Sequence, residues 1–303
     1  MQLVSHHTKL VLAFFVVYVV WGTTFFGVHL SLKSFPPFLL SALRLLIAGG
    51  ALTIFCFILK KPFPSRDEIA KHAICGLFLF IGGIVAVVWA QQFISSSLAS
   101  IIITTPFWFV VLDRRQWKFY FSSKWIPAGL LTGLSGVILL MAFKTGRSGA
   151  GSEMMQIAAI MVMVIGSLMW AATSLYLKYK TSAISMYVST SIQLLSAGVA
   201  TLLISYLAGE LETFSFAQVQ LDSALALLYL SLVSSLLAFL CFMWLITVQP
   251  PAIVSTYSYV NPLVATVLGW TLANEHISSL QLLALGLILA GVFFVNVPKY
   301  LSR

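Results

Sequence analysis

The chain has 303 residues, 60% of them hydrophobic and only 8% charged, with a formal net charge of +9. A water-facing domain carries roughly a quarter charged residues, so this composition excludes a soluble globular protein and makes the lipid bilayer the main solvent. The basic excess does not indicate a nucleic-acid partner, because Lys and Arg fall in short connections between apolar runs, and the scattered Cys56, Cys75 and Cys241 form neither a disulfide framework nor a metal-type spacing.

A helix needs about 20 apolar residues to cross the hydrocarbon core. Ten segments are predicted to do so: 10–31, 37–59, 72–93, 97–112, 125–143, 154–176, 184–207, 223–247, 252–273 and 279–297. The first is too long for a signal peptide and no small-residue cleavage site follows it. The fourth is the shortest. With the N-terminus in the cytoplasm, the inside segments hold Lys9, Lys60, Lys61, Arg66, Lys71, Arg114, Arg115, Lys118, Lys124, Lys178, Lys180, Lys299 and Arg303. The outside segments hold only Lys33, Lys144 and Arg147. Basic residues mark cytoplasmic loops, so both termini of a multi-pass inner (cytoplasmic) membrane protein are expected inside. The acidic segment from Glu210 to Asp222 lies outside and is long enough for a short amphipathic stretch.

The chain also repeats itself. An offset of 149 sets Trp21 over Trp170 and Arg44 over Gln193; farther on, offsets of 155 and 156 set Trp89 over Trp244, Pro106 over Pro262 and Gly136 over Gly291. The copies are 1–147 and 148–303, five spans each, and an odd number of spans turns the second copy upside down. The expected fold is an all-α integral membrane protein of ten transmembrane helices in two inverted five-helix repeats. Many transporters build two half-channels around a midplane site in this way.

Residues that could line such a site follow in chain order. Span one has Tyr18, Trp21, Thr23 and Thr24. Span two has Arg44, the only basic residue well inside a span, roughly 10 Å deep at about 1.5 Å per residue from Pro37. Its insertion costs about 2.5–3.5 kcal/mol, so it needs a partner or a wet cavity. Either it lines a cavity and recognises carboxylate or phosphate, or it bonds helix-end carbonyls and fixes the packing of span two. Gln91 and Gln92 end span three, and Trp108 follows Pro106. In the second copy stand Trp170, Gln193, Tyr257, Ser258, Tyr259 and Asn261, the last before Pro262. A mid-helix proline removes a backbone hydrogen bond, and interruptions in matching places of two halves point to a central site; Pro106 and Pro262 are the candidate hinges, the alternative being kinks that only shape helix packing. Aromatic walls with a few polar groups suit small organic solutes, although Trp and Tyr also form interfacial belts, the more economical place for Trp89 and Trp244.

Asp113, Glu153 and Glu275 stand at span ends, so no carboxylate occupies a span interior as a proton relay. His29, a lone interfacial histidine near the outer end of span one, is most simply read as solvated. The small residues of span five (Gly129, Gly133, Gly136) and span ten (Gly286, Gly291) follow close-packing spacing, between the halves or between the protomers of a homodimer. No His-Glu-x-x-His, Asp-rich motif or nucleophile elbow is present. An enzyme is therefore not expected, nor is a cofactor or a metal.

Taken together, Trp21-Gly22-Thr23-Thr24-Phe25, Pro36-Pro37 before Arg44, Ser97-Leu98-Ala99 before Pro106, and Pro262 before Asn274-Glu275 with Gly286 and Gly291 resemble the EamA-type members of the drug/metabolite transporter superfamily. The resemblance covers nearly the whole chain. It implies a central substrate cavity and movement of amino acids, other metabolites or toxic compounds, frequently outward. Two departures stand out: Asn274 replaces the glycine of the family's Gly-Glu pair after span nine, and span four runs into Asp113-Arg114-Arg115-Gln116-Trp117-Lys118 with no such pair. The expectation is a transporter of small organic solutes working by alternating access, with export or exchange of amino acids or related metabolites. A channel-like or scaffold membrane protein is the alternative.

Overall fold

In lipid every backbone N–H and C=O must be satisfied within the chain, which for an apolar sequence of this kind means helices. The computed structural model describes residues 5–94, 106–142, 152–180, 184–273 and 279–297, and every regular element among them is helical. The main helices are α1 (His6–Ser31), α2 (Pro37–Ile58), α3 (Arg66–Ala90), α4 (Pro106–Leu112), α5 (Trp125–Ala142), α6 (Glu153–Tyr179), α7 (Met186–Leu207), α8 (Leu221–Val248), α9 (Tyr257–Ala273) and α10 (Ser279–Asn296). Among the described residues seven are long and apolar enough to span a membrane: α1, α2, α3, α6, α7, α8 and α10. The apolar part of α5, Trp125–Leu139, is shorter. Span four is described only from Pro106 onward, so the mid-span position expected for that proline and the Ser97-Leu98-Ala99 motif lie outside the described residues, as do Asn274 and Glu275. Pro262 sits inside α9, which a separate short helix, Pro251–Val254, precedes.

Serine caps begin four of these helices: Ser5 accepts from Thr8 N–H, Ser65 from Glu68, Ser152 from Met155 and Ser185 from Tyr187. Each satisfies one of the orphan donors of a first turn. Helix α2 starts at Pro36-Pro37 and has no cap of its own. Glu210, from the other copy, fills the role: its carboxylate accepts from Phe38 N–H (3.1 Å) and Leu39 N–H (2.8 Å), and Ser205 Oγ donates to it at 2.8 Å.

That acidic segment also explains why the repeat offset drifts. Between α2 and α3 lie residues 59–65, whereas between α7 and α8 lie residues 208–220, six more. The six extra residues move the offset from 149 at the ends of α2 and α7 to 155 at the starts of α3 and α8. They carry the cap of α2 on a one-turn helix, Glu210–Thr213.

Packing follows the duplication pairwise. Helix α2 lies along its counterpart α7, and α5 along α10. Small residues set both approaches: Cβ atoms on Gly49 of α2 and Gly198 of α7 would stand 2.9 Å from Leu195 Cγ and 2.8 Å from Leu46 Cγ, and one on Gly291 of α10 would stand 2.4 Å from Gly133 N. Gly129, Gly136 and Gly291 are thus spent on the contact between spans five and ten within the chain, whereas Gly286 faces open space. The first helix of each copy crosses over: α1 packs on α8 and α9, and α6 on α3 and α4. Sequence copy and packing unit are therefore different objects.

Helices α3 and α8 share a feature that no residue pattern announces. Each widens to i→i+5 pairing for nine residues, Leu77–Val85 in α3 and Leu230–Ala238 in α8. These π segments lie in counterpart helices and overlap under the repeat, two residues out of register with its offset of 155, and such segments frequently mark functional sites.

Candidate substrate cavity

Both π segments face one central cavity of about 850 Å³ including its open mouth, within the usual range for small-molecule sites. Phe80, Gly82 and Gly83 contribute from the first segment and Ser234 and Ser235 from the second. The first segment can come this close because it carries no side chain there: a Cβ on Gly83 would lie 2.2 Å from the Trp170 ring, and one on Gly166 of α6 would lie 2.1 Å from Gly82 O.

Arg44 enters the cavity from α2 and is 4% exposed. Its Nε donates to Ser235 Oγ at 2.5 Å and its Nη2 to Ser234 Oγ at 2.9 Å. A guanidinium has five N–H donors, so two neutral hydroxyls orient it without neutralising it. Among the described residues no carboxylate lies within ion-pair distance of it. Ser234 is the hub of this wall: its hydroxyl also shares a hydrogen bond with Thr24 Oγ1 (2.9 Å), and its carbonyl accepts from Trp21 Nε1 (3.3 Å).

Toward the end of the bundle that holds the start of α1, aromatic rings floor the cavity. Trp21 meets Tyr257 edge-on with ring centroids 4.5 Å apart, and its contacts with Phe242 and Trp170 are at 5.2 and 5.7 Å. Edge-to-face pairs of this kind add about 0.5–1.5 kcal/mol beyond burial. Toward the other end the walls run out along Val28 of α1 and Gln91 after α3. Two buried polar atoms of lining residues, Trp170 Nε1 and Asn261 Oδ1, have no hydrogen-bond partner among the described residues.

Of the residues proposed from the sequence, the cavity brings together Arg44, Trp21, Trp170, Tyr257 and Asn261, with Thr24 and Gln91. The others stand elsewhere. Tyr18 bonds Thr256 Oγ1 (2.5 Å) and joins α1 to the start of α9. Thr23 turns away to Val20 O and the Tyr229 hydroxyl, in a separate groove between α1 and α8. Trp108 lies behind the wall, its Nε1 donating to Ser167 Oγ at 2.9 Å. Gln193 is fully buried between α7 and α3, its Nε2 3.3 Å from His72 Nδ1. Tyr259 packs on Gly133 and donates to Leu130 O (3.0 Å).

Sequence reasoning missed Ser234 and Ser235. The signal available was their adjacency: two consecutive hydroxyls, with Ser231 one turn before, in the interior of an otherwise apolar span. It also missed Gly82-Gly83, an adjacent pair at mid-span that does not follow the small-xxx-small spacing of spans five and ten.

Membrane-length apolar helices, two interleaved copies and one central cavity with a buried guanidinium define a polytopic protein of the solute-transporter class. The EamA-like transporter family pattern matches residues 8–142 and 157–297, and the chain belongs to that family. It is 33% identical over 291 residues to the uncharacterized inner membrane transporter YedA of Escherichia coli (strain K12), covering 95% of this chain and 91% of that one. It is 22% identical over 290 residues to the uncharacterized transporter YoaV of Bacillus subtilis (strain 168), covering 94% and 96%. A crystal structure aligns with a TM-score of 0.75 over 95% of this chain and 98% of that chain at 18% identity, a likeness of fold.

Proposed function

We propose that this membrane transporter moves small organic solutes bearing a carboxylate or similar anionic group, amino acids or related metabolites, by alternating access, in export or exchange. It does so as ten spans in two inverted five-helix halves, in the inner membrane with both termini in the cytoplasm. The observation that carries the substrate class is Arg44: a buried cation in a cavity, held by two serine hydroxyls and facing no protein carboxylate among the described residues. A charge at membrane depth is retained at a cost of a few kcal/mol, and a ligand anion is the partner that offsets it. The Trp170 N–H and Asn261 carbonyl, unpartnered among the described residues, support a ligand with polar groups of both kinds, since each unpaired buried atom costs about 1–3 kcal/mol. The aromatic floor suits its apolar part.

The test begins with a thermal-stabilisation screen of the purified protein against amino acids, nucleosides, polyamines and organic anions. Hits are then assayed for uptake and counterflow in proteoliposomes. Arg44→Ala should keep the fold and lose transport of anionic or zwitterionic hits. Normal transport of those hits by the folded variant would refute the assignment.

A further inference from the structure

The departure from the family pattern after span four has no part in the cavity, yet it organises the opposite side of the aromatic floor. Asp113, directly after α4, is 2% exposed. Its carboxylate collects two phenols: Tyr120 Oη donates to Oδ2 at 2.9 Å and Tyr179 Oη to Oδ1 at 2.7 Å. The Tyr120 hydroxyl in turn accepts from Ala252 N–H at 3.4 Å. One carboxylate thereby joins the end of α4, the short helix Trp117–Ser122, the end of α6 and the turn between α8 and α9. Beside it Lys178 donates to Ile246 O (2.6 Å) and Gln249 O (2.9 Å), clasping α6 to the last carbonyls of α8. The Arg115 guanidinium lies 4.5 Å over the Tyr179 ring.

The cluster is drawn from both copies, with Asp113, Arg115 and Tyr120 from the first and Lys178, Tyr179 and Ala252 from the second. It closes the end of the bundle toward which the cavity does not open. Its bonding is also suited to reopening. Parting apolar surfaces costs free energy in proportion to the area exposed to water, whereas phenols and a carboxylate that separate into water exchange one set of hydrogen bonds for another.

We propose that Asp113, with Tyr120 and Tyr179, is the latch of the inner gate. It ties the cytoplasmic ends of the two halves together while the cavity faces outward, and it releases when the cytoplasmic side opens. The proposal rests on the transport reading and orientation above, and its test does not depend on knowing the substrate.

The experiment uses the full chain in proteoliposomes with Cys56, Cys75 and Cys241 replaced by Ala. Ser255→Cys serves as the inner reporter, fully buried one turn beyond Ala252, and Gln91→Cys as the outer one. A membrane-impermeant maleimide is applied to one face at a time. Asp113→Asn and, separately, Tyr179→Phe should raise inner labelling by at least about ten-fold, the shift that one lost charge-assisted hydrogen bond supports. Outer labelling should stay level or fall. Unchanged inner labelling in the folded variants overturns the latch, and so does a parallel rise on both faces, which marks a loosened fold. If Asp113→Asn does not fold, Tyr179→Phe decides, since it keeps ring and volume and removes one bond. Failure of the transport reading shows separately, as absence of solute movement by the unsubstituted protein.

Discussion

Gly166 is where helix α6 comes closest to the cavity-lining π segment of α3, and adding one methyl group there measures how tightly the cavity wall is built. A Cβ at that position would stand 2.1 Å from Gly82 O, 3.0 Å from Gly82 C and 3.4 Å from the Ala86 Cβ. The nearest obstacle is backbone, which cannot swing aside as a flexible side chain can. An ordinary carbon-to-oxygen contact needs about 3.3 Å or more, so α3 and α6 must part by about 1 Å. Overpacking of this kind costs about 1–3 kcal/mol, and the better helix propensity of alanine returns only about 0.5–1 kcal/mol. The net expectation for Gly166→Ala is a loss of up to about 2.5 kcal/mol. Gly50→Ala and Gly286→Ala are the controls, because a Cβ at either meets nothing within 4 Å; both should be neutral or stabilising. Thermal unfolding of the three variants in one detergent, together with ligand stabilisation once a ligand is in hand, makes the comparison. Gly166→Ala should be the least stable and should respond least to ligand, because Trp170 sits one turn along on the same helix. If it unfolds with the two controls, the close approach of α3 and α6 described above is wrong.

Arg44→Lys should recover little of what Arg44→Ala loses, about ten-fold or more below the native protein in substrate affinity, because an ammonium cannot reproduce the two directed donors that engage Ser234 and Ser235; titration of transport against substrate concentration reads it. Glu210→Gln keeps shape but weakens the acceptor at the start of α2, and Glu210→Ala removes it; stability losses of about 0.5–2 kcal/mol are expected for the alanine variant and less for glutamine, measured by thermal unfolding. Burial, and then the neighbouring Asp113 carboxylate, push the Tyr120 phenol well above the ordinary tyrosine range. A folded-state value above the unfolded one means that the neutral phenol's contribution to stability is whole below about pH 10 and is lost as pH rises beyond it. Tyr120→Phe should therefore leave the tyrosinate absorbance step of the folded protein near pH 10 unchanged, and a step smaller by one tyrosine contradicts the burial.

Much of this molecule is readable from its residues, for one physical reason. In hydrocarbon the chain must bury every backbone polar group in local hydrogen bonds, so run length and apolarity alone specify helices. That is why α1, α2, α3, α6, α7, α8 and α10 follow the predicted spans to within a few residues, apart from α3, which begins well before its predicted start. Arg44 was visible on the same grounds, since a cation inside an apolar run is conspicuous. Trp21 and Trp170 were visible because the repeat sets them in register. Thr23 and Thr24 show where this reasoning stops: they are neighbours of one chemistry, but about 100° of helix rotation sends one to the cavity and the other to the groove beside Tyr229. Gln193 occupies the position of Arg44 in the second copy, yet it packs between α7 and α3 beside His72, because duplication preserves the backbone path and not the neighbours.

The sequence by itself determined the solvent, the apolar helices, the duplicated unit and the presence of Arg44 as a basic residue well inside a span, because these depend on composition and local hydrogen bonding. Only the tertiary structure decided what that charge faces. The widened turns of α3 and α8, the exchange of α1 and α6 between the copies and the capping of α2 by Glu210 all depend on contacts between residues far apart in the chain. The same is true of the collection of Asp113, Tyr120 and Tyr179 into one cluster: each bond was paired by packing, and no local pattern encodes the partner.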